Sequence, residues 1–378
     1  MPGKPAMSGP CLALLIVSTM LVTFAARESS AADAPVVTKL TVVGTFTAPN
    51  TVKKPEKMKA RGISGMACLG TAADASRECF VINDEERFGE VATLKKDVLT
   101  ITPTDPKIIE FVKKNEDGKN VLGKARVPNC SEADKFDELD GEGVAIAGDF
   151  IYVVSSHSCS GGGEYKPSSY LLVRFKAASA TSFKGTSPVA FTRSWRLADV
   201  LDASAELKPA FGMPKKNGTN IEGIAVIGDR LYAGMRTPLG PGSDQAFIVS
   251  ALVENLFVDD GEPLKDGKVE TISVKLGKNA GIRDLAALRS GGLLILSGPA
   301  HEEPDVPYQL WLLDKPNKDA ALRPLATLTT ATKGKDGVEL AKAETVTVEE
   351  ETAAALKVLV LYDNIDEGEP TRYEIKLQ

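Results

Sequence analysis

The sequence predicts an all-β protein, a β-propeller with five blades favoured, from three observations. A three-strand unit recurs five times along the 378 residues, the mark of a repeat architecture. The last unit runs out of chain at Gln378, straight after its third strand. Residues 38–47, TKLTVVGTFT, form a β-type segment ahead of the first unit with nothing local to pair with. Pairing that N-terminal strand with the last blade closes a ring and removes the open edges a sheet would otherwise expose.

Each unit opens with a strand expected to line the central channel: ISGMA (63–67), GEGVA (141–145), IEGIA (221–225), IRDLA (282–286) and AETVT (343–347). After a short polar turn come CFVINDEE (79–86), IYVVSSHS (151–158), LYAGMRTP (231–238), LLILSGPA (293–300) and LVLYDNID (359–366). The third strands are GEVATLKK (89–96), SYLLVRFK (169–176), QAFIVSAL (245–252), YQLWLLDK (308–315) and TRYEIKLQ (371–378). Fourth strands read as VAFTRSWRL (189–197), VETISVKL (269–276) and LRPLATLTT (322–330), and in the first unit as VLTITP (98–103) or KIIEFV (107–112). Unit starts fall 78, 80, 61 and 61 residues apart. Common blades take about 40–50, so long insertions are expected, chiefly at 97–139 and 157–168. Residues 97–139 are also where a divergent sixth blade could sit. One short helix is expected within 197–208.

The first 32 residues read as a signal peptide: Lys4, an apolar core at residues 12–26, and Ser30, Ala31 and Ala32 before the expected cleavage. The apolar core is shorter than the roughly 20 residues of a membrane span. Residues 33–378 are then a single propeller domain, periplasmic or secreted, with no membrane association once the leader is cleaved. The net charge of -6 becomes -7 without Lys4, Arg27 and Glu28, leaving 43 basic against 50 acidic residues. That balance repels phosphate backbones and speaks against nucleic acid as a partner. Beyond Cys11, four cysteines remain. In an oxidising compartment they suggest two disulfides, with three pairings open; Cys68 with Cys79, closing a short loop, and Cys130 with Cys159 are preferred over four free thiols.

Antiparallel pairing brings the start of each first strand and the end of each second strand to one rim. The inner row is Ser64, Glu142, Glu222, Arg283 with Asp284, and Glu344; the outer row is Asp84, Ser156, Arg236, Gly298 and Asn364, with Glu85, His157 and Asp363 beside it. Carboxylates of this kind suit calcium, and Glu142, Glu222, Glu344 and Asp84 are the candidate ligands. Arg236 and Arg283 instead suit a small anionic or ester ligand, since guanidinium matches carboxylate or phosphate. Glu142, Glu222, Arg236, Arg283 and His157 are the candidate catalytic residues. The competing reading makes the row a blade fastener, its glutamates bonded to backbone amides or to Arg236 and Arg283. Gly65, Gly143 and Gly223 read as places where channel strands crowd together. His157, near Ser155, Ser156 and Asp140, admits a nucleophile and base reading against that of a polar rim histidine.

INDEE (82–86), DGEGVAI (140–146), NIEGIAV (220–226), YAGMRTP (232–238) and YDN (362–364) together resemble the bacterial exported proteins catalogued as domain of unknown function 3616, over most of residues 60–378. More distantly, the Glu-Gly strand start is similar to the esterase-like phytases and related propeller hydrolases. That likeness implies ester or phosphate-ester hydrolysis at a channel-mouth metal, and it carries over only to Glu142 and Glu222. The fourth and fifth units depart from it, with Arg283-Asp284 and Glu344-Thr345 in place of Glu-Gly. Two functions follow as expectations: metal-assisted hydrolysis of a small ester or phosphate ester at the channel mouth, or a non-catalytic propeller that binds a ligand or a protein partner of unknown identity.

Overall fold

The computed structural model describes residues 1, 3, 34–47, 62–102, 109–126, 129–131, 136–177, 188–213, 218–264, 268–328 and 341–377. Apart from residues 1 and 3, the expected signal peptide lies outside the described residues. Five sheets are arranged as the five blades of a propeller. Strands β1 (Val36–Lys39) and β2 (Thr41–Val43) precede the first repeat. Blade one is β3 (Ile63–Cys68), β4 (Arg77–Asn83), β5 (Gly89–Lys95) and β6 (Val98–Thr102). After β7 (Val121–Leu122), blade two comprises β8 (Gly141–Ala147), β9 (Phe150–Ser155), β10 (Leu172–Lys176) and β11 (Phe191–Ser194). Blade three is β12 (Asn220–Ile227), β13 (Arg230–Thr237), β14 (Gln245–Leu252) and β15 (Val269–Lys275). Blade four is β16 (Ala280–Ala287), β17 (Leu293–Pro299), β18 (Gln309–Leu313) and β19 (Leu322–Thr327). Blade five is β20 (Lys342–Glu351), β21 (Ala355–Asp363) and β22 (Thr371–Lys376).

The expected closure is present, and it is double. β1 adds antiparallel to β22 and completes blade five, while β2, one residue further on, adds parallel to β6 at the outer edge of blade one. One short segment thus joins the two ends of the ring. Arg372 of β22 reinforces the seam, donating from Nη2 to the carbonyl of Lys96 at 2.8 Å and holding Glu349 of β20 and Asp97.

Burial explains the sequence pattern. A second strand such as LLILSGP in β17 is an unbroken apolar run because neighbouring blades cover both its faces. The outermost β15, VETISVK, alternates because only one face is covered. The core therefore lies between blades rather than along the axis. Phe80, Val144, Val153 and Phe175 fill the gap between blades one and two; Leu296, Leu310, Val358 and Tyr373 fill that between four and five.

The insertion at 97–139 forms no sixth blade among its described residues. It supplies Ile109, Phe111, Val112 and Phe136 to the first inter-blade core, where Phe111 packs against Phe80 and Phe175, and it adds β7 to blade two beside β11. The first blade's fourth strand is β6, so VLTITP is the correct assignment. The expected helix is α1 (Arg196–Ala203); a one-turn helix, α2 (Val253–Leu256), follows β14 and carried no sequence signal. Cys68 bonds Cys79 and Cys130 bonds Cys159, the preferred pairing, and such bonds persist in oxidising compartments. Among the described residues no helix is long and apolar enough to cross a membrane.

Candidate functional site

The five channel strands β3, β8, β12, β16 and β20 follow one another around the axis, with β20 returning to β3. Each breaks register with its hairpin partner near its start, and the residue left without a cross-strand partner is Ser64, Glu142, Glu222, Arg283 or Glu344. A β-bulge inserts one residue and re-aims its side chain. That is why a carboxylate can sit between apolar residues in a channel strand: the inner row is a ring of five bulges. All five residues are buried.

The glycine that follows the bulge is required by close approach. A Cβ on Gly223 would lie 2.5 Å from Cα of Asp284 in the next blade, and one on Gly143 would lie 2.9 Å from Cα of Gly223. Asp284, which takes the glycine's place in blade four, uses its carboxylate as a clamp. Its Oδ2 accepts the amide of Val346 in blade five at 2.6 Å, and Oδ1 accepts the amide of Leu285 at 2.7 Å.

Four of the predicted residues form one ionic chain across blades three, four and five. Arg236 donates from Nη1 to Oε1 of Glu222 at 2.6 Å and from Nε to the carbonyl of Ala300 at 2.9 Å. Asn220 donates to the same Oε1 at 3.1 Å. The other oxygen of Glu222 lies 3.3 Å from Nη2 of Arg283, which also pairs with Glu344. Burial disfavours the charge on Arg283, but Glu222 and Glu344 together outweigh it and hold its pKa above the ordinary value. Burial pushes Glu344 up to about 8, with Arg283 pulling the other way and Asp363 and Glu222 adding to the rise.

Glu142 stands apart from that chain. Among the described residues its carboxyl has no ion pair and no hydrogen-bond partner. Burial, then the charges of Glu222, Asp140, Asp84 and Glu344, push its pKa well above the ordinary carboxylate value. Asp84 is pushed up by the same burial and by Glu344, Asp363 and Asp140, and its Oδ1 is buried without a partner.

Of the candidate calcium ligands Glu142, Glu222, Glu344 and Asp84, two already have a cationic partner. Glu222 and Glu344 are committed to Arg283, and among the described residues no three of His, Cys, Asp and Glu are grouped to hold a metal ion. His157 is fully buried at a left-handed backbone position (φ 53°), its Nδ1 2.8 Å from the carbonyl of Ser155 and its Nε2 without a partner. Burial lowers it to about 4, so the ring is neutral. The hydroxyl of Ser155 donates to the carbonyl of Ser168, and that of Ser156 to Asp140, so both hydroxyls are engaged elsewhere than on the His157 ring.

Beside the ionic chain opens a cavity of about 510 Å³, lined by Arg236, Arg283, Tyr308, Lys342, Asn364 and the loop at 299–307. This is within the usual range for small-molecule sites. Gly298 shapes it: a Cβ there would lie 2.4 Å from the Tyr308 ring and 3.1 Å from Cγ of Arg283, so the absence of a side chain lets both residues sit at the mouth. Arg236, Arg283 and Asn364 were legible as rim residues. Tyr308, Lys342 and the acidic loop were not, although the Pro-rich, acidic PAHEEPDVPY between two clean strands was the available signal.

The chain is similar in fold to several solved glycoside hydrolases. It is 8% identical to an α-L-arabinofuranosidase from Podospora anserina, covering 92% of this chain and 99% of that one, at a TM-score of 0.41. It is 9% identical to an exo-β-1,3-galactanase from Phanerochaete chrysosporium, covering 91% of this chain and 65% of that one, at 0.40. It is 8% identical to an exo-β-1,3-galactanase from Clostridium thermocellum, covering 90% and 63%, at 0.43. It thus spans slightly less than two thirds of the two galactanases, and likeness at these levels carries no information on activity. No curated protein matches the chain. The family model described as "Protein of unknown function (DUF3616)" matches residues 176–374, more than half of the sequence, from the end of β10 through most of β22. The bulge ring of blades three to five, the ionic chain and the cavity therefore all lie within the matched stretch, and the chain belongs to the DUF3616 family.

Proposed function

We propose that the chain is an exported binding propeller whose channel-mouth cavity takes a small ligand bearing a carboxylate or phosphate group. One observation carries this reading: Arg283 lines the cavity, is buried, and its Nε–H has no hydrogen-bond partner. A buried guanidinium N–H left unmade costs free energy that an incoming anionic oxygen would recover. Arg236 and Lys342 line the same cavity and supply further donors. Export to the periplasm or beyond agrees with the two disulfides. Calorimetric titration with small carboxylates and phosphate tests the site: binding that Arg236→Met weakens at least tenfold is expected. No heat from any of them at millimolar concentration would remove the proposal.

A second reading, hydrolysis of a small ester or phosphate ester, is favoured by Glu142, which burial and neighbouring carboxylates push well above the ordinary carboxylate value, and by Glu344, pushed up to about 8 beside Arg283. A neutral carboxylic acid beside an anion-stabilising arginine is the pairing that general acid catalysis uses. An ester and phosphoester screen, with and without EDTA, decides between the two. Turnover abolished by Glu142→Gln would favour the enzyme, and background rates throughout would leave the binding propeller.

A further inference from the structure

Charge is distributed unevenly around the 510 Å³ cavity. On one side each cation already has a carboxylate: Arg236 has Glu222, Arg283 has Glu222 and Glu344, and Lys342 has Asp363 at 3.6 Å. The lining loop carries Glu302, Glu303 and Asp305, and among the described residues none of these three is paired with a cation. Glu303 only caps its own loop, accepting the amide of His301 at 2.9 Å. Pro304 and Pro307 fix φ at two positions of that loop, which lowers the entropy lost when a ligand is gripped.

A ligand with only negative charge would meet the unfilled Arg283 Nε–H and, in the same cavity, three uncompensated carboxylates. A ligand with only positive charge would satisfy the loop and leave that N–H unmade. We infer that the ligand is a zwitterion, with an anionic group at Arg236 and Arg283 and an ammonium group at the loop of Glu302, Glu303 and Asp305. This rests on the cavity being the binding site and adds the class of molecule it takes. Amino acids and phosphocholine-like headgroups share this chemistry.

The test is calorimetry on the folded chain in the presence of chelator. The probes are ω-aminoalkanoates from glycine to aminohexanoate, the matching alkanoates and alkylamines, and phosphocholine. At least one zwitterion should bind about tenfold tighter than both of its single-charge analogues; whether that is an aminoalkanoate or phosphocholine separates the carboxylate source from the phosphate source. The double variant Glu302→Gln with Asp305→Asn changes only exposed side chains. It should erase the preference while the alkanoate binds as well or better. Alkanoate binding equal to or above that of every zwitterion would overturn the inference but leave the anion pocket standing, as would alkanoate binding that appears only with added calcium. Alkylamine alone matching the zwitterions would overturn it too. Silence from every probe would sink the pocket and this inference together.

Discussion

Glu222 of blade three and Arg283 of blade four form a buried ion pair 3.3 Å apart, and both side chains stand on β-bulges. The pair joins two blades where no backbone ladder does, and Arg236 binds the same carboxylate from the hairpin partner strand. Removing one member of a buried pair strands the other charge, at about 3–5 kcal/mol. Glu222→Ala instead leaves Arg283 paired with Glu344 alone and takes the carboxylate from Arg236, so it should cost about 1.5–3 kcal/mol, the worth of a hydrogen bond to a charged group, whereas Arg236→Ala, a partly exposed partner, should cost about 1 kcal/mol. Urea midpoints measure both, and equal costs would show that the inter-blade contact contributes nothing special.

Gly223→Ala should destabilise by about 1–3 kcal/mol or more, because its new Cβ would meet the backbone of Asp284 at 2.5 Å and no flexible side chain can give way. Gly162→Ala, with nothing nearer than 3.7 Å, is the control and should be neutral. Thermal melts compare the two.

Stability should fall between about pH 6.5 and 8. Burial raises Glu344 from 4.5 to about 8 and Glu86 from 4.5 to about 7, so across those intervals the native state holds protons that the unfolded chain has released. Their contribution is complete below the unfolded value and is lost as pH climbs through the folded one. His157, lowered from 6.5 to about 4, acts in the opposite sense and only between those values, so above pH 6.5 the acids act alone. The melting temperature should drop by a few degrees over that window, and Glu344→Gln, which mimics the protonated form, should flatten the drop. A melting temperature that rises with pH there would contradict the assignment.

Chelation should leave the melting temperature unchanged, because Arg283 already stands against both Glu222 and Glu344. A rise on adding calcium, lost in Asp84→Asn, would instead show that Asp84 and Glu142 hold a cation.

Breaking Cys130–Cys159, which closes a separation of 29 residues, should cost about 3.5 kcal/mol in the loop-entropy model. It should also open residues 157–168 to proteolysis. Breaking Cys68–Cys79 should expose no new cleavage site, since those residues are already neighbours in the β3–β4 ladder. Limited digestion of the two Cys→Ser pairs distinguishes them.

The architecture was readable because a buried strand leaves a local trace: continuous runs such as IYVVS and LLILS mark strands covered on both faces. The rim was readable as a row, since Glu142, Glu222, Arg283 and Glu344 share one place in the repeat. Their pairing was not, because which arginine Glu222 meets depends on the bulge and on the spacing of neighbouring blades, neither of which a linear pattern records. Tyr308 escaped for a related reason: its place at the cavity depends on Gly298 leaving space for its ring beside Cγ of Arg283. The second pairing of residues 41–43 was likewise hidden, since three residues carry too little periodicity to name a partner.

The seam made by β1 and β2 sets an order of events. Lys39 and Glu369, which meet across it, are separated by 330 residues, so this contact forms only after both ends of the domain are available. Loop-closure entropy makes such distant pairings slow relative to the local hairpins within each blade. The blades should therefore gather first as an open arc with two exposed sheet edges, a species prone to sticking to its own kind. In a chain that emerges from its amino end, the strand that seals the circle is made first and used last.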